Sequence, residues 1–262
     1  ARLNHPNIVN IFEFDQDQGT PYFVMEYLEN GSLAQRLERG RLPVEDAVRI
    51  TTAMAQALVH AHGSGVLHCD LKPANVLFDA GGEARLCDFG QSRLSSERTP
   101  ALGTLFYMAP EQAVLDGIPD ARWDVYALGA IGYHLLTGEP PFKGSTVEVL
   151  PKVEKGDFPK PRQISGEIPP PLEAICLKAM RQSPTDRYPT PKALADDVDR
   201  LGGGQALALE PLVDPLAVEE LHHEVDGAVG QATEVADVDD VRVADRGGAL
   251  RRLRCRDRGD FS

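Results

Sequence analysis

Basic residues are in short supply. Twenty-seven Lys and Arg face forty Asp and Glu in 262 residues, a formal charge of −13, which is the wrong sign for an electrostatic grip on nucleic acid or an anionic lipid surface. Cysteine is equally sparse. Cys69, Cys87, Cys176 and Cys255 lie far apart, so neither a zinc site of paired cysteines nor a disulfide-stapled secreted domain is encoded, and reduced thiols are expected. No apolar run approaches the roughly 18 residues of a membrane span, and no basic-then-apolar leader opens the chain. The expectation is a soluble chain with no membrane segment and no nucleic-acid partner, working in the cytoplasm. A starting Met is missing too. The chain opens at Ala1 on ARLNHPNIVNIFEF and runs at once into a strand-like stretch, as expected of a sequence cut within a domain.

What is present suffices for a core: 42% of residues are apolar, enough for one large domain or two small ones. All seven lysines and fifteen of the sixteen aromatic residues precede Leu201, after which only Phe261 is aromatic. The break falls on Gly202-Gly203-Gly204, a run that no helix or strand keeps in its interior. Residues 202–262 are dominated by Ala, Val, Asp, Glu, Leu and Arg without a clean period, and are expected to be a disordered or out-of-frame tail. One piece of it, LAVEELHHEVDGAV, has the pattern of a short amphipathic helix.

Before that break, residues 8–14 and 22–27 are short β-rich runs joined by Asp-Gln-Asp-Gln-Gly, which predicts an antiparallel pair. A long helix follows in VEDAVRITTAMAQALVHAHGSG, with Pro43 at its start and Gly63 and Gly65 at its end. Further helices are predicted in DARWDVYALGAIGYHLLTG, in TVEVLPKVEKG with a proline interrupting it, in PPLEAICLKAMRQ and in PTPKALADDVDRL. The pattern is α+β, a mostly helical body with a small sheet at one end.

Chemistry concentrates in VLHCDLKPANVLFDAGGEARLCDFG, residues 66–90. The segment HCDLKPAN resembles the catalytic loop of protein kinases. Asp88-Phe89-Gly90 follows after two short strands turned by Ala80-Gly81-Gly82, and Gly103-Thr104 through Tyr107-Met108-Ala109-Pro110-Glu111 resembles the end of a kinase activation segment. The resemblance implies a protein-kinase-like fold in which residues 1–28 are a remnant of the N-terminal lobe (two strands and the hinge) and residues 29–201 are the C-terminal lobe. It further implies transfer of the γ-phosphoryl of ATP, held by Mg²⁺, to Ser or Thr hydroxyls of a protein substrate. On this pattern Asp70 is the base, Lys72 the cation beside the transferring phosphate, and Asn75 and Asp88 the magnesium ligands. Thr104 bridges Asp70 and Lys72. In YFVMEYLENGSL, Met25 guards the back pocket, Glu26 and Leu28 donate backbone hydrogen bonds to the nucleotide, and Leu77 is the floor under the adenine. His68 and Phe89 pack into the column supporting the site, Asp124 anchors the catalytic loop, and Arg187 pairs with Glu111. The resemblance leaves the oligomeric state open.

Two departures stand out. Cys69 replaces the arginine that the family carries before the base, and a thiol cannot bind a phosphorylated loop residue; activation independent of phosphorylation at Ser92, Ser95, Ser96 or Thr99 is expected. The glycine-rich loop, the strand lysine and its helix glutamate are not found in these residues and are expected upstream of Ala1, so the 262 residues alone should transfer phosphate weakly or not at all. The competing expectation, a catalytically inactive kinase-like binding module, has no physical need to retain Asp70, Lys72, Asn75 and Asp88 together.

Overall fold

The computed structural model describes residues 3–17, 20–89, 93–94, 105–113, 118–202, 241–244 and 250–253. They fall into two compact units, one of residues 1–10 and 26–207, the other of residues 11–25 and 208–262. In the second unit, strands β1 (Ile11–Asp17) and β2 (Thr20–Met25) pair antiparallel from Asp17↔Thr20 out to Ile11↔Met25, with a register irregularity between Ile11 and Glu13. The pair was expected here but with a longer connection. Asp15 and Gln16 join the strand on its exposed side, β1 being the edge of its sheet, and Asp15 Oδ1 accepts the Gln16 N–H at 2.8 Å.

The larger unit carries the helices. Helix α1 (Leu33–Leu37) begins with a capping box: Ser32 Oγ accepts from the Gln35 N–H, and Gln35 Oε1 accepts from the Ser32 N–H. Helix α2 (Val44–Gly63) buries Ala47, Ile50, Met54, Leu58 and Ala61 along one face, the period read from its sequence. It leads into β3 (Val66–Leu67), then β4 (Val76–Phe78) and β5 (Ala84–Leu86), which pair antiparallel through Val76↔Leu86 and Phe78↔Ala84. Their turn closes where Asp79 accepts the Glu83 N–H and Gly82 takes φ +79°. Strand β6 (Arg93–Leu94) pairs with β3.

After the short α3 (Pro110–Ala113) comes α4 (Ala121–Thr137), buried almost all round from Trp123 to Leu136. Asp120 caps its start by accepting from the Arg122 N–H, and Gly138 at φ +80° ends it. Helices α5 (Thr146–Lys155), α6 (Pro161–Ile164), α7 (Pro170–Ala179) and α8 (Pro191–Gly202) complete the unit. A Cβ at Gly129 would stand 2.5 Å from the Ala179 methyl, so α4 and α7 approach as closely as they do only because that residue has no side chain. Helix α5 runs straight through Pro151, which was expected to interrupt it. The proline lies on the exposed side, and the carbonyl it orphans belongs to Val147, 82% exposed and open to water.

Tyr107 is tied to the last turn of α4, where its hydroxyl and His134 Nδ1 share a hydrogen bond at 2.8 Å. Burial, aided by the charge of Lys143, lowers the His134 pKa to about 4, so the native state holds the ring neutral below pH 6.5 while the unfolded chain takes up a proton. Stability from this site is therefore full above pH 6.5 and falls as pH drops toward 4. Urea midpoints measured across that window should show a slope that His134→Gln flattens; an unchanged slope would contradict the assignment.

Two strands extend the smaller sheet. Strand β7 (Val241–Ala244) lies parallel to β2 through Val24↔Arg242 and Met25↔Val243, and β8 (Leu250–Leu253) pairs antiparallel with β7, giving the order β1-β2-β7-β8. Neither was expected from sequence; four residues are too few for an alternation to register. The LAVEELHHEVDGAV segment lies outside the described residues.

Candidate active site

The site is organised around one buried carboxylate. Asp124, 1% exposed on α4, accepts the backbone N–H of His68 on Oδ2 at 2.9 Å and that of Cys69 on Oδ1 at 2.8 Å, while His62 Nε2 from the last turn of α2 meets Oδ2 at 2.7 Å. Burial alone would push its pKa up, but the hydrogen bond and charge of His62 and the His68 backbone N–H together hold it below the usual carboxylate value. Bending two successive N–H groups toward the two oxygens of one carboxyl places Cys69 at φ +62°, a left-handed conformation that costs a non-glycine residue about 1–3 kcal/mol. The anchoring expected of Asp124 is thus present in detail.

Asp70 follows at once. Its side chain is 3% exposed and its Oδ2 lies 2.9 Å from Lys72 Nζ, the cation that offsets the cost of burying it. Its N–H donates to His68 Nδ1 at 3.3 Å, and His68 Nε2 contacts the Cys87 carbonyl at 3.1 Å, an arrangement that suits the Nε2–H tautomer. The His68 and Phe89 rings stand 4.7 Å apart, as expected of the supporting column. Asn75 Nδ2 donates to the Asp70 carbonyl at 2.9 Å, which leaves Oδ1 as an oxygen ligand. The Cys87 N–H donates to the Asn75 carbonyl at 2.9 Å, so the β4–β5 register brings Asp88 to the same end of the hairpin as Asn75. Asp88 is exposed and sits at φ +58°.

The donor set fits Mg²⁺. Magnesium takes hard oxygens, binds through one or two protein side chains and completes its shell with phosphates and water, and Asn75 with Asp88 supply two such side chains. Among the described residues no group of three or more His, Cys, Asp or Glu side chains is placed to hold a metal.

Of the expected nucleotide contacts, Leu77 lies half-buried on β4 and bridges to Ser32, Leu28 is half-buried, and Met25 ends β2 in the other unit. Glu26 requires a correction. Its N–H donates to the Asn10 carbonyl at 3.0 Å, and its carboxylate takes Asn10 Nδ2 at 3.0 Å and Arg85 at 3.2 Å. The N–H expected to serve the nucleotide is therefore already spent on Asn10. Thr104, Gly90, Ser92, Ser95, Ser96 and Thr99 lie outside the described residues.

Arg187 occupies the place expected of it. Its fully buried guanidinium grips Glu111 with both terminal nitrogens at 2.6 Å and donates to the carbonyls of Arg181, Gln182 and Arg122 at 2.7, 3.0 and 3.1 Å. Sequence reasoning missed two site residues. His62 reads only as a cation at a helix C-terminus, and Gln112, whose Nε2 donates to the Cys69 carbonyl at 2.6 Å, carries no signal beyond its place after Glu111.

The protein kinase domain family matches residues 1–198, and the chain belongs to that family. It is 37% identical over 217 residues to serine/threonine-protein kinase PknB of Mycobacterium leprae, covering 78% of this chain and 35% of that protein. To serine/threonine-protein kinase PknL of Mycobacterium tuberculosis it is 34% identical over 214 residues, 79% of this chain and 53% of PknL. To serine/threonine-protein kinase PrkC of Bacillus subtilis it is 34% identical over 205 residues, 76% and 32% respectively. The chain thus spans from about a third to about half the length of these curated relatives. Among the described residues no helix is long and apolar enough to cross a membrane.

Proposed function

We propose that the intact protein containing this chain is a serine/threonine protein kinase that moves the γ-phosphoryl of Mg·ATP to hydroxyls of a protein substrate in the cytoplasm. The observation that carries the reading is the convergence of Asp70, Lys72 and Asn75 on one short loop fastened to Asp124. Bound Mg²⁺ would neutralise phosphate charge, with Asn75 Oδ1 and the Asp88 carboxylate as its protein ligands. Asp70 accepts the proton of the attacking hydroxyl. Lys72, already paired with Asp70, lies within reach of both the base and the transferring group, so it holds the two in register. Catalysis on this account is positioning and charge stabilisation, with no covalent enzyme intermediate.

Thermal unfolding of the intact protein with and without Mg·ATP tests the nucleotide site. Wild type should melt higher with ligand, as any protein does that binds ligand only when folded, and Asp88→Asn should lose most of that increment, each increment being measured against the same protein without ligand. An Asp88→Asn protein stabilised as fully as wild type would remove Asp88 from the metal site.

A further inference from the structure

The peptide unit joining Cys69 to Asp70 is held at both of its polar atoms. Its N–H donates to His68 Nδ1 at 3.3 Å, and its carbonyl accepts from Gln112 Nε2 at 2.6 Å. The residue before it is already in the left-handed region, with its own N–H on Asp124. Rotation of this one peptide swings the Asp70 side chain directly, and the strain at Cys69 gives it a reason to rotate. Gln112, only 7% exposed, is carried on α3, and α3 is fastened by the bidentate grip of Arg187 on the neighbouring Glu111. Trp123, whose buried indole N–H has no hydrogen-bond partner among the described residues, lines the same small cavity as Cys69, Asp70 and Gln112.

We propose that Gln112 is a positioning residue for Asp70, setting the base by clamping the Cys69 carbonyl and so transmitting the anchorage of α3 to the catalytic loop. The inference rests on the reading of Asp70 as base given above. Gln112 contacts the loop backbone behind Asp70 rather than the carboxylate, so its effect belongs to kcat. Sequence gives no hint of it, because 43 residues separate the partners.

The test uses the intact protein with Gln112→Met, which keeps the volume and removes the donor, and Gln112→Glu, which replaces the amide donor with an acceptor. Each is made alone and combined with Asp70→Asn. Alone, each should lower kcat on the order of a hundredfold, the scale of a misplaced catalytic group, with KM for Mg·ATP unchanged. Added to Asp70→Asn, neither should reduce turnover further, because there is no longer a base to position. Wild-type kcat in both Gln112 variants, losses that multiply with that of Asp70→Asn, or losses that follow a lowered melting temperature would each overturn the clamp. Undiminished turnover in Asp70→Asn alone would overturn the base assignment instead, whatever the Gln112 variants do. Should Gln112→Glu fail to fold, Gln112→Met decides the matter.

Discussion

Replacing Arg187 by alanine is expected to destabilise the kinase fold by about 3–5 kcal/mol, the cost of breaking a buried ion pair from one side. All five guanidinium N–H groups are used, two on Glu111 and three on the Arg181, Gln182 and Arg122 carbonyls. Truncation leaves each acceptor short of a donor in a place water reaches poorly. Glu111 is 27% exposed and recovers part of its solvation, which favours the lower end of the range. Arg187→Lys should not rescue the loss, since one ammonium cannot reproduce a planar five-donor fork. Pairing Arg187→Met with Glu111→Leu should cost less than Arg187→Ala alone, because it leaves no unpaired charge. Urea denaturation of the intact proteins measures all three; a single alanine variant within about 1 kcal/mol of wild type would mean that the pair is not the anchor described.

Turnover in Asp70→Asn is expected to fall by about 10²–10⁴-fold, the usual contribution of a positioned general base. The amide is nearly isosteric, and the backbone bonds of residue 70 to His68 and Asn75 do not involve the side chain, so the fold should persist and the loss should appear in kcat. What disappears is the proton acceptor and the 2.9 Å pair with Lys72. A structural role alone would instead lower the melting temperature and leave kcat per folded molecule untouched.

The sequence and the structure agree most closely where short-range spacing carries the information. The helical period of α2 and the turn at Gly82 are local features and legible in the residues themselves, whereas Asp70, Lys72 and Asn75, though confined to one six-residue loop, take their roles from the family resemblance. Arg187 and Glu111 are 76 residues apart and were paired only through family resemblance. Contacts without such a guide were invisible: His62 to Asp124 spans 62 residues and depends on where the end of α2 falls against α4. The family resemblance gives the Glu26 N–H to the nucleotide, and nothing in the sequence shows that the Asn10 carbonyl takes it instead. A proline within TVEVLPKVEKG is expected to interrupt the helix, whereas the outcome depends on which side of the helix it faces. Strand β7 combines short length with a partner more than 200 residues away in β2, beyond any local pattern, and β8 is a four-residue strand that pairs only with β7.

The most direct measurement is transfer of labelled γ-phosphoryl from Mg·ATP by the intact protein to a protein acceptor, with the products hydrolysed to phosphoamino acids and Asp70→Asn run alongside. The account predicts label on serine and threonine from the wild type and 10²–10⁴-fold less from the variant. Wild-type protein that binds Mg·ATP yet transfers nothing, or equal transfer by both proteins, would contradict it.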